Sequence, residues 1–181
     1  MMARLNQTIL LFCLLTIGNL AIVDKAWALH SLLQKKLTEI NQQEDKTQVL
    51  SALSQLIKSN TFKGADQATI ILQQGKTFFI LHQYAQGIKA VIQAIDIADA
   101  AKEYRLVAEA NKMLGILFYY QGELKLALKS YNLSMAYYDN NQADDINYFS
   151  IERANLLNNI ALVYTSLGQS ELALINYQLV E

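Results

Sequence analysis

Few residues in this 181-residue chain have the chemistry for covalent or metal-assisted catalysis. There is one cysteine, Cys13, and there are two histidines, His30 and His82, neither at ligand spacing from the other or from a carboxylate. A zinc site takes three or four Cys, His or carboxylate ligands, and a thiol nucleophile takes a base beside it, so neither is expected. His82 reads as a residue that caps or lines a turn. The acidic run Asp139-Asn140-Asn141-Gln142-Ala143-Asp144-Asp145 is superficially like a calcium loop. It lacks a third ligand, the turn glycine and a closing glutamate, and reads as a solvated loop. Gly75, Gly115 and Gly122 stand singly, so no phosphate-cradling loop is present. No enzyme activity, metal or cofactor is expected of these residues.

The stronger signal is a ladder of residue types that positions side chains without reacting. Gly75, His82, Gly87 and Val91 are followed by Gly115, Gly122, Ala127 and Tyr131, and then by Ala161, Gly168, Ala173 and Tyr177, each set with offsets of 7, 5 and 4. The sets start 40 and then 46 residues apart. Recurrence at fixed internal spacing means that one supersecondary unit is used three times. Gly75, Gly115 and Ala161 fall where two helices of a hairpin come closest, with Gly87, Ala127 and Ala173 as the small residues on the partner helix. Phe118, Tyr164, Tyr131 and Tyr177 are the large rings expected to fill the groove between them.

The middle set reads Asn111-x2-Leu114-Gly115-x2-Phe118, Gly122, Ala127-x3-Tyr131, and the third reads Leu157-x2-Ile160-Ala161-x2-Tyr164, Gly168, Ala173-x3-Tyr177. Both resemble the tetratricopeptide repeat (TPR), a helix-turn-helix of about 34 residues. The first set, Ile71-x2-Gln74-Gly75-x2-Phe78 with Gly87-x3-Val91, is weaker. Ile71, Asn111 and Leu157 replace the family's tryptophan, and its closing proline is absent, with Asp139 in that place in the middle copy. Without that proline the second helix can run on, in agreement with the long spacings. The resemblance implies an all-α right-handed superhelix of antiparallel helix hairpins, a TPR-like α-solenoid.

Such arrays generally bind peptides or proteins on the wall formed by the first helix of each repeat. Carried over by the resemblance, that wall holds Leu72, Lys76 and Phe79, then Lys112, Ile116 and Tyr119, then Asn158, Asn159, Leu162 and Thr165. The amides, ammonium groups and rings are expected to hold an extended chain by its backbone, with Asn159 foremost. Leu72, Lys76 and Met113 stand where chaperone-tail receptors place lysine and asparagines, so that ligand is not expected.

Arg4, the apolar run from Ile9 to Val23 and the Ala26-Trp27-Ala28 triplet read as an export signal cleaved before Leu29. At 15 residues, the run is shorter than the roughly 20 needed to span a bilayer. Cleavage would remove Cys13 and Trp27, and a cysteine-free product suits a bacterial periplasm better than a disulfide-rich extracellular setting. Taking Arg4, Lys25 and Asp24 from the 15 basic and 16 acidic residues leaves 13 and 15. A near-neutral balance with no basic block argues against a nucleic-acid partner. Zero prolines and an apolar content of 52% fit a helical domain with a continuous core.

Apolar periodicity places a leading helix pair in 29–64, through Leu32, Leu33, Leu37 and Ile40 and then Val49, Leu50, Leu53, Leu56 and Ile57. This pair is a degenerate repeat or a cap. Helices are then expected over 65–81, 84–101, 105–120, 123–139, 144–167 and 170–180, with Asp144 and Asp145 at a helix start. The Asn132-Leu133-Ser134 glycosylation triplet falls inside a helix and reads as chance. The array over 65–181 stops within its third copy, so a longer protein is expected. Two arrangements follow: an exported binding scaffold, or the extracytoplasmic sensor segment of a membrane signalling protein. Arrays with a signal and lengthened repeats look similar to the leaders of diguanylate cyclases and sensor histidine kinases. That arrangement would add a membrane tether and an output domain beyond Glu181.

Overall fold

The structure, a computed structural model, describes residues 24–140 and 146–180. Residues 1–23 of the expected leader, residues 141–145 of the acidic run with its expected helix start, and Glu181 lie outside the described residues. The chain divides into two units, Met1–Gln42 and Gln43–Glu181. In the first, helix α1 covers 24–41, running through Ala28 and Leu29, with Leu33, Leu37 and Ile40 buried along one stripe.

The second unit contains α2 (Lys46–Lys58), α3 (Gly64–Ile80), α4 (Tyr84–Ala100), α5 (Tyr104–Gln121), α6 (Leu124–Asn140), α7 (Ile146–Ser166) and α8 (Ser170–Gln178). No strand occurs among the described residues, and no helix among them is long and apolar enough to cross a membrane. Asp45 starts α2 as an N-cap, its carboxylate accepting the Thr47 amide at 2.8 Å and the Thr47 hydroxyl at 2.6 Å.

Three hairpins follow, α3/α4, α5/α6 and α7/α8, each helix packed on its successor. The first helices also meet in series, α3 with α5 and α5 with α7, whereas among the described residues α4 does not approach α6. The first-helix layer is therefore the inner, tighter side of the stack.

The ladder explains the hairpins. At its second rung the backbone turns left-handed, with φ of +57° at His82, +87° at Gly122 and +73° at Gly168. Each is followed by a residue whose amide reaches back to a helix carbonyl at 2.9 Å: Gln83 to Phe78, Glu123 to Phe118, Gln169 to Tyr164. This is the glycine-type helix stop, here met once by a histidine.

The first and fourth rungs meet each other. A Cβ on Gly75 would lie 2.5 Å from Cγ2 of Val91, and one on Gly115 would lie 2.5 Å from Cε1 of Tyr131. Between hairpins, Gly87 leaves room for Leu117, whose Cδ2 is 2.8 Å from where a Cβ would stand. The third copy has Ala161 at the crossing, and its ring, Tyr177, is 39% exposed, so the interlock loosens there. Phe118, expected among the buried rings, is half-buried and spans two cores instead.

Those cores are continuous with the stack. One joins Ile71, Leu72, Val91, Ala94, Leu114 and Leu117 from α3, α4 and α5, and the other joins Ala127, Tyr131, Tyr138, Phe149, Leu156 and Val163 from α5, α6 and α7 with Ala108. The positions that replace the family's tryptophan are all buried, and Asn111 satisfies its amide by donating to the Val107 carbonyl at 2.9 Å. The Ser134 hydroxyl is fully buried and donates to the Ala108 carbonyl at 2.8 Å, which gives the Asn132-Leu133-Ser134 triplet a packing role.

Candidate functional site

The inner layer brings together four cations, one or two from each first helix, and every one of them is engaged. Lys76 on α3 pairs with Glu109 on α5 at 2.6 Å, and Lys112 on α5 pairs with Glu152 on α7. Arg153 on α7 donates to Asp139 at the end of α6 at 2.9 Å. Arg105 lies over the Tyr148 ring, 3.9 Å from its centroid, a cation–π seat, and a hydrogen bond with the Tyr148 side chain raises its guanidinium above the ordinary range. The lysines expected to face a ligand therefore bridge successive hairpins. The Lys112–Glu152 pair is the more shielded, its side chains 20% and 15% exposed against 36% for both partners of the other pair.

Beside these pairs lies a groove of about 250 Å³ lined by Phe79, Ile116, Tyr119, Tyr120, Tyr131, Asn159 and Leu162. Three first helices supply it: α3 gives Phe79, α5 gives Ile116, Tyr119 and Tyr120, and α7 gives Asn159 and Leu162. The second helix α6 contributes the Tyr131 ring that the missing Gly115 side chain admits. Tyr120 and Leu162 form an open rim, 56% and 44% exposed.

The aromatic wall is built as a cluster. Phe79 meets Tyr120 edge-on at 5.0 Å between centroids, Tyr120 meets Tyr119 at 5.5 Å and Tyr84 at 5.9 Å, and Tyr84 lies 6.0 Å from the His82 ring. Nδ1 of His82 and Oη of Tyr84 stand 2.9 Å apart, so the turn residue braces the cluster. Tyr119 is steadied on the other side, its hydroxyl 3.2 Å from Oγ of Ser166. Burial pushes the Tyr131 hydroxyl well above the usual phenol range, so it stays neutral. A second stack, Tyr137, Tyr138, Tyr148 and Phe149, packs where α6 meets α7 beneath Arg105, and burial likewise raises Tyr138.

Of the residues carried over from the resemblance, Phe79, Ile116, Tyr119, Asn159 and Leu162 converge on this groove. Asn158 is half-buried and outside its lining, Thr165 returns its hydroxyl to the Ala161 carbonyl at 2.9 Å, and Leu72 is buried in the first core. Leu72 thus leaves the inner wall, because its position on α3 faces α4 and α5. Sequence reading missed Tyr120 and Tyr131 as lining residues and Glu109 and Glu152 as the lysines' partners. The run Phe118-Tyr119-Tyr120 carried a signal, since consecutive aromatics on a helix cannot all point into one core. The glutamates gave none, because their partners lie on the neighbouring hairpin.

Stacked hairpins with an inner first-helix layer, left-handed stops and small-residue crossings define a TPR-like repeat fold, all-α and solenoidal. Solved structures share it, among them the following two. The crystal structure of BtubC (BKLC) from P. vanneervenii matches with a TM-score of 0.60 at 15% identity, covering 83% of this chain and 69% of that one. A kinesin light chain protein of Podosopora anserina with nearly identical TPR-like repeats matches with a TM-score of 0.63 at 14% identity, covering 86% and 73%. No family model and no curated protein matches the chain. At these identities the likeness concerns the fold; the site must be argued from its own residues.

Proposed function

We propose that this chain is an exported repeat scaffold that binds a protein or peptide partner on its inner layer and carries no catalytic activity of its own. One observation carries the reading: three successive first helices contribute to a single open groove whose wall is prebuilt from stacked rings. A rigid aromatic wall with an exposed rim loses little conformational entropy on binding, which is what a recognition surface requires. The TPR-like repeat fold fits a protein-binding role, and the ionisable groups of the inner wall are committed to one another. Export rests on the Ile9–Val23 run and the Ala26-Trp27-Ala28 triplet. Mass spectrometry of the secreted or periplasmic protein is expected to give an N-terminus at Leu29; a product retaining Trp27 would contradict it.

Panning a random peptide display library on the purified chain tests the binding site. Enriched peptides are expected to lose affinity at least tenfold on Leu162→Asp or Tyr120→Asp, both exposed rim positions, and to keep it on Leu133→Asp, an exposed position on α6. Peptides indifferent to both rim changes would place the binding surface elsewhere and refute the assignment.

A further inference from the structure

We propose that the groove selects an uncharged peptide segment that inserts one bulky apolar side chain. This rests on the binding role above and specifies its ligand. The first argument is charge. All four Lys and Arg residues on α3, α5 and α7 are already engaged: Lys76 by Glu109, Lys112 by Glu152, Arg153 by Asp139, and Arg105 by the Tyr148 ring. An acidic ligand finds no uncommitted cation on these helices, and freeing Lys112 would leave the shielded Glu152 carboxylate without its partner. The lining itself contains neither a carboxylate nor an ammonium group.

The second argument is size and shape. A volume of about 250 Å³ falls below the roughly 300–1,000 Å³ of pockets that swallow whole small molecules. It suits one side chain entering past the Tyr120 and Leu162 rim. Phe79, Tyr119 and Tyr131 offer ring faces and edges within, where an inserted aromatic or branched side chain is desolvated against apolar surface. The third argument is rigidity. Tyr119 is held by Ser166 and Tyr120 by Phe79 and Tyr84, so an inserted side chain meets fixed walls.

Four capped synthetic heptapeptides test the proposal on the full chain by two-dimensional NMR titration: a Gly/Ser peptide with a central phenylalanine, the same peptide with a central alanine, and phenylalanine versions flanked by glutamates or by lysines. The neutral phenylalanine peptide is expected to shift the resonances of Tyr119, Tyr120 and the Asn159 side chain, with the alanine peptide at least tenfold weaker and neither charged version tighter. Tighter binding of the glutamate-flanked peptide, equal binding of the alanine peptide, or no shift at the groove with any of the four would each overturn the proposal. If display-selected peptides still need the Leu162 and Tyr120 rim, the binding role stands while its proposed ligand falls; if they do not, the role falls first.

Discussion

Tyr131 lays its ring against the backbone of Gly115 so closely that a methyl group there would stand 2.5 Å from Cε1, 2.6 Å from Cδ1 and 2.9 Å from Cζ. Two opposing effects decide a Gly115→Ala change. Alanine in a helix interior gains about 0.5–1 kcal/mol over glycine, while forcing atoms into a packed core costs about 1–3 kcal/mol. Three ring atoms of Tyr131 lie within 3.0 Å of the added methyl, inside contact distance, so the whole ring must shift and the second effect wins. Gly115→Ala is expected to destabilise by about 1–2 kcal/mol and Gly115→Leu by more. In a denaturant double-mutant cycle the alanine cost is expected to shrink when Tyr131 is replaced by Leu; full additivity would refute the crossing.

Gly122 is needed for a different reason. No atom lies within 4 Å of where its Cβ would stand, but its φ is +87°. Gly122→Ala is therefore expected to cost about 1 kcal/mol through backbone strain alone. Lys102, with φ of +61°, is the converse case, and Lys102→Gly is expected to stabilise by about 0.5 kcal/mol after allowing for glycine's extra freedom when unfolded. Thermal melts of the two variants moving in the same direction would contradict this account of the turns.

These glycines mark how much of the molecule could be read from its sequence. Spacing alone located the three hairpins and their stops, because a close crossing and a left-handed φ each restrict the residue type within a short stretch of chain. It could not say that Gly115 faces the Tyr131 ring, since facing is decided by the rotation of one helix against another. Phe118 shows the same limit: its period placed it on the core side, yet it is half-buried between two cores. Local position sufficed to bring Phe79, Ile116, Tyr119, Asn159 and Leu162 to one groove. The pairing of Lys76 and Lys112 was not legible, because Glu109 and Glu152 stand 33 and 40 residues away, on helices whose register no local pattern reveals.

The two ion pairs are expected to differ in worth. Lys76–Glu109 is more than a third exposed, so Lys76→Ala should cost no more than about 0–1 kcal/mol. Lys112→Ala leaves Glu152 shielded and unpaired, and about 1–2 kcal/mol is expected after discounting the cost of breaking a fully buried pair. Urea melts at low and high salt check both: the Lys76 effect should fade at about 1 M salt while most of the Lys112 effect persists.

The cap on α2 supplies a pH signature. Hydrogen bonds from the Thr47 hydroxyl and then the Thr47 amide hold the Asp45 carboxyl below its ordinary value, which is about 4. Because the folded value is the lower one, the cap's contribution is full above the ordinary value and disappears as pH falls through the lowered one. Asp45→Asn should therefore lie furthest below the parent in melting temperature near about pH 7 and converge on it near about pH 2–3. A gap that widens on acidification would contradict the capping role.

Hydrogen exchange on the full chain, with and without a saturating display-selected peptide, tests the central claim that the inner-layer groove is the binding surface. Slowed amides are expected in α5 around 116–120 and in α7 around 159–166, with the outer faces of α4 and α6 unchanged. Slowing confined to α4 and α6, or to the exposed apolar face of α8 with Leu172 and Ile175, would contradict it.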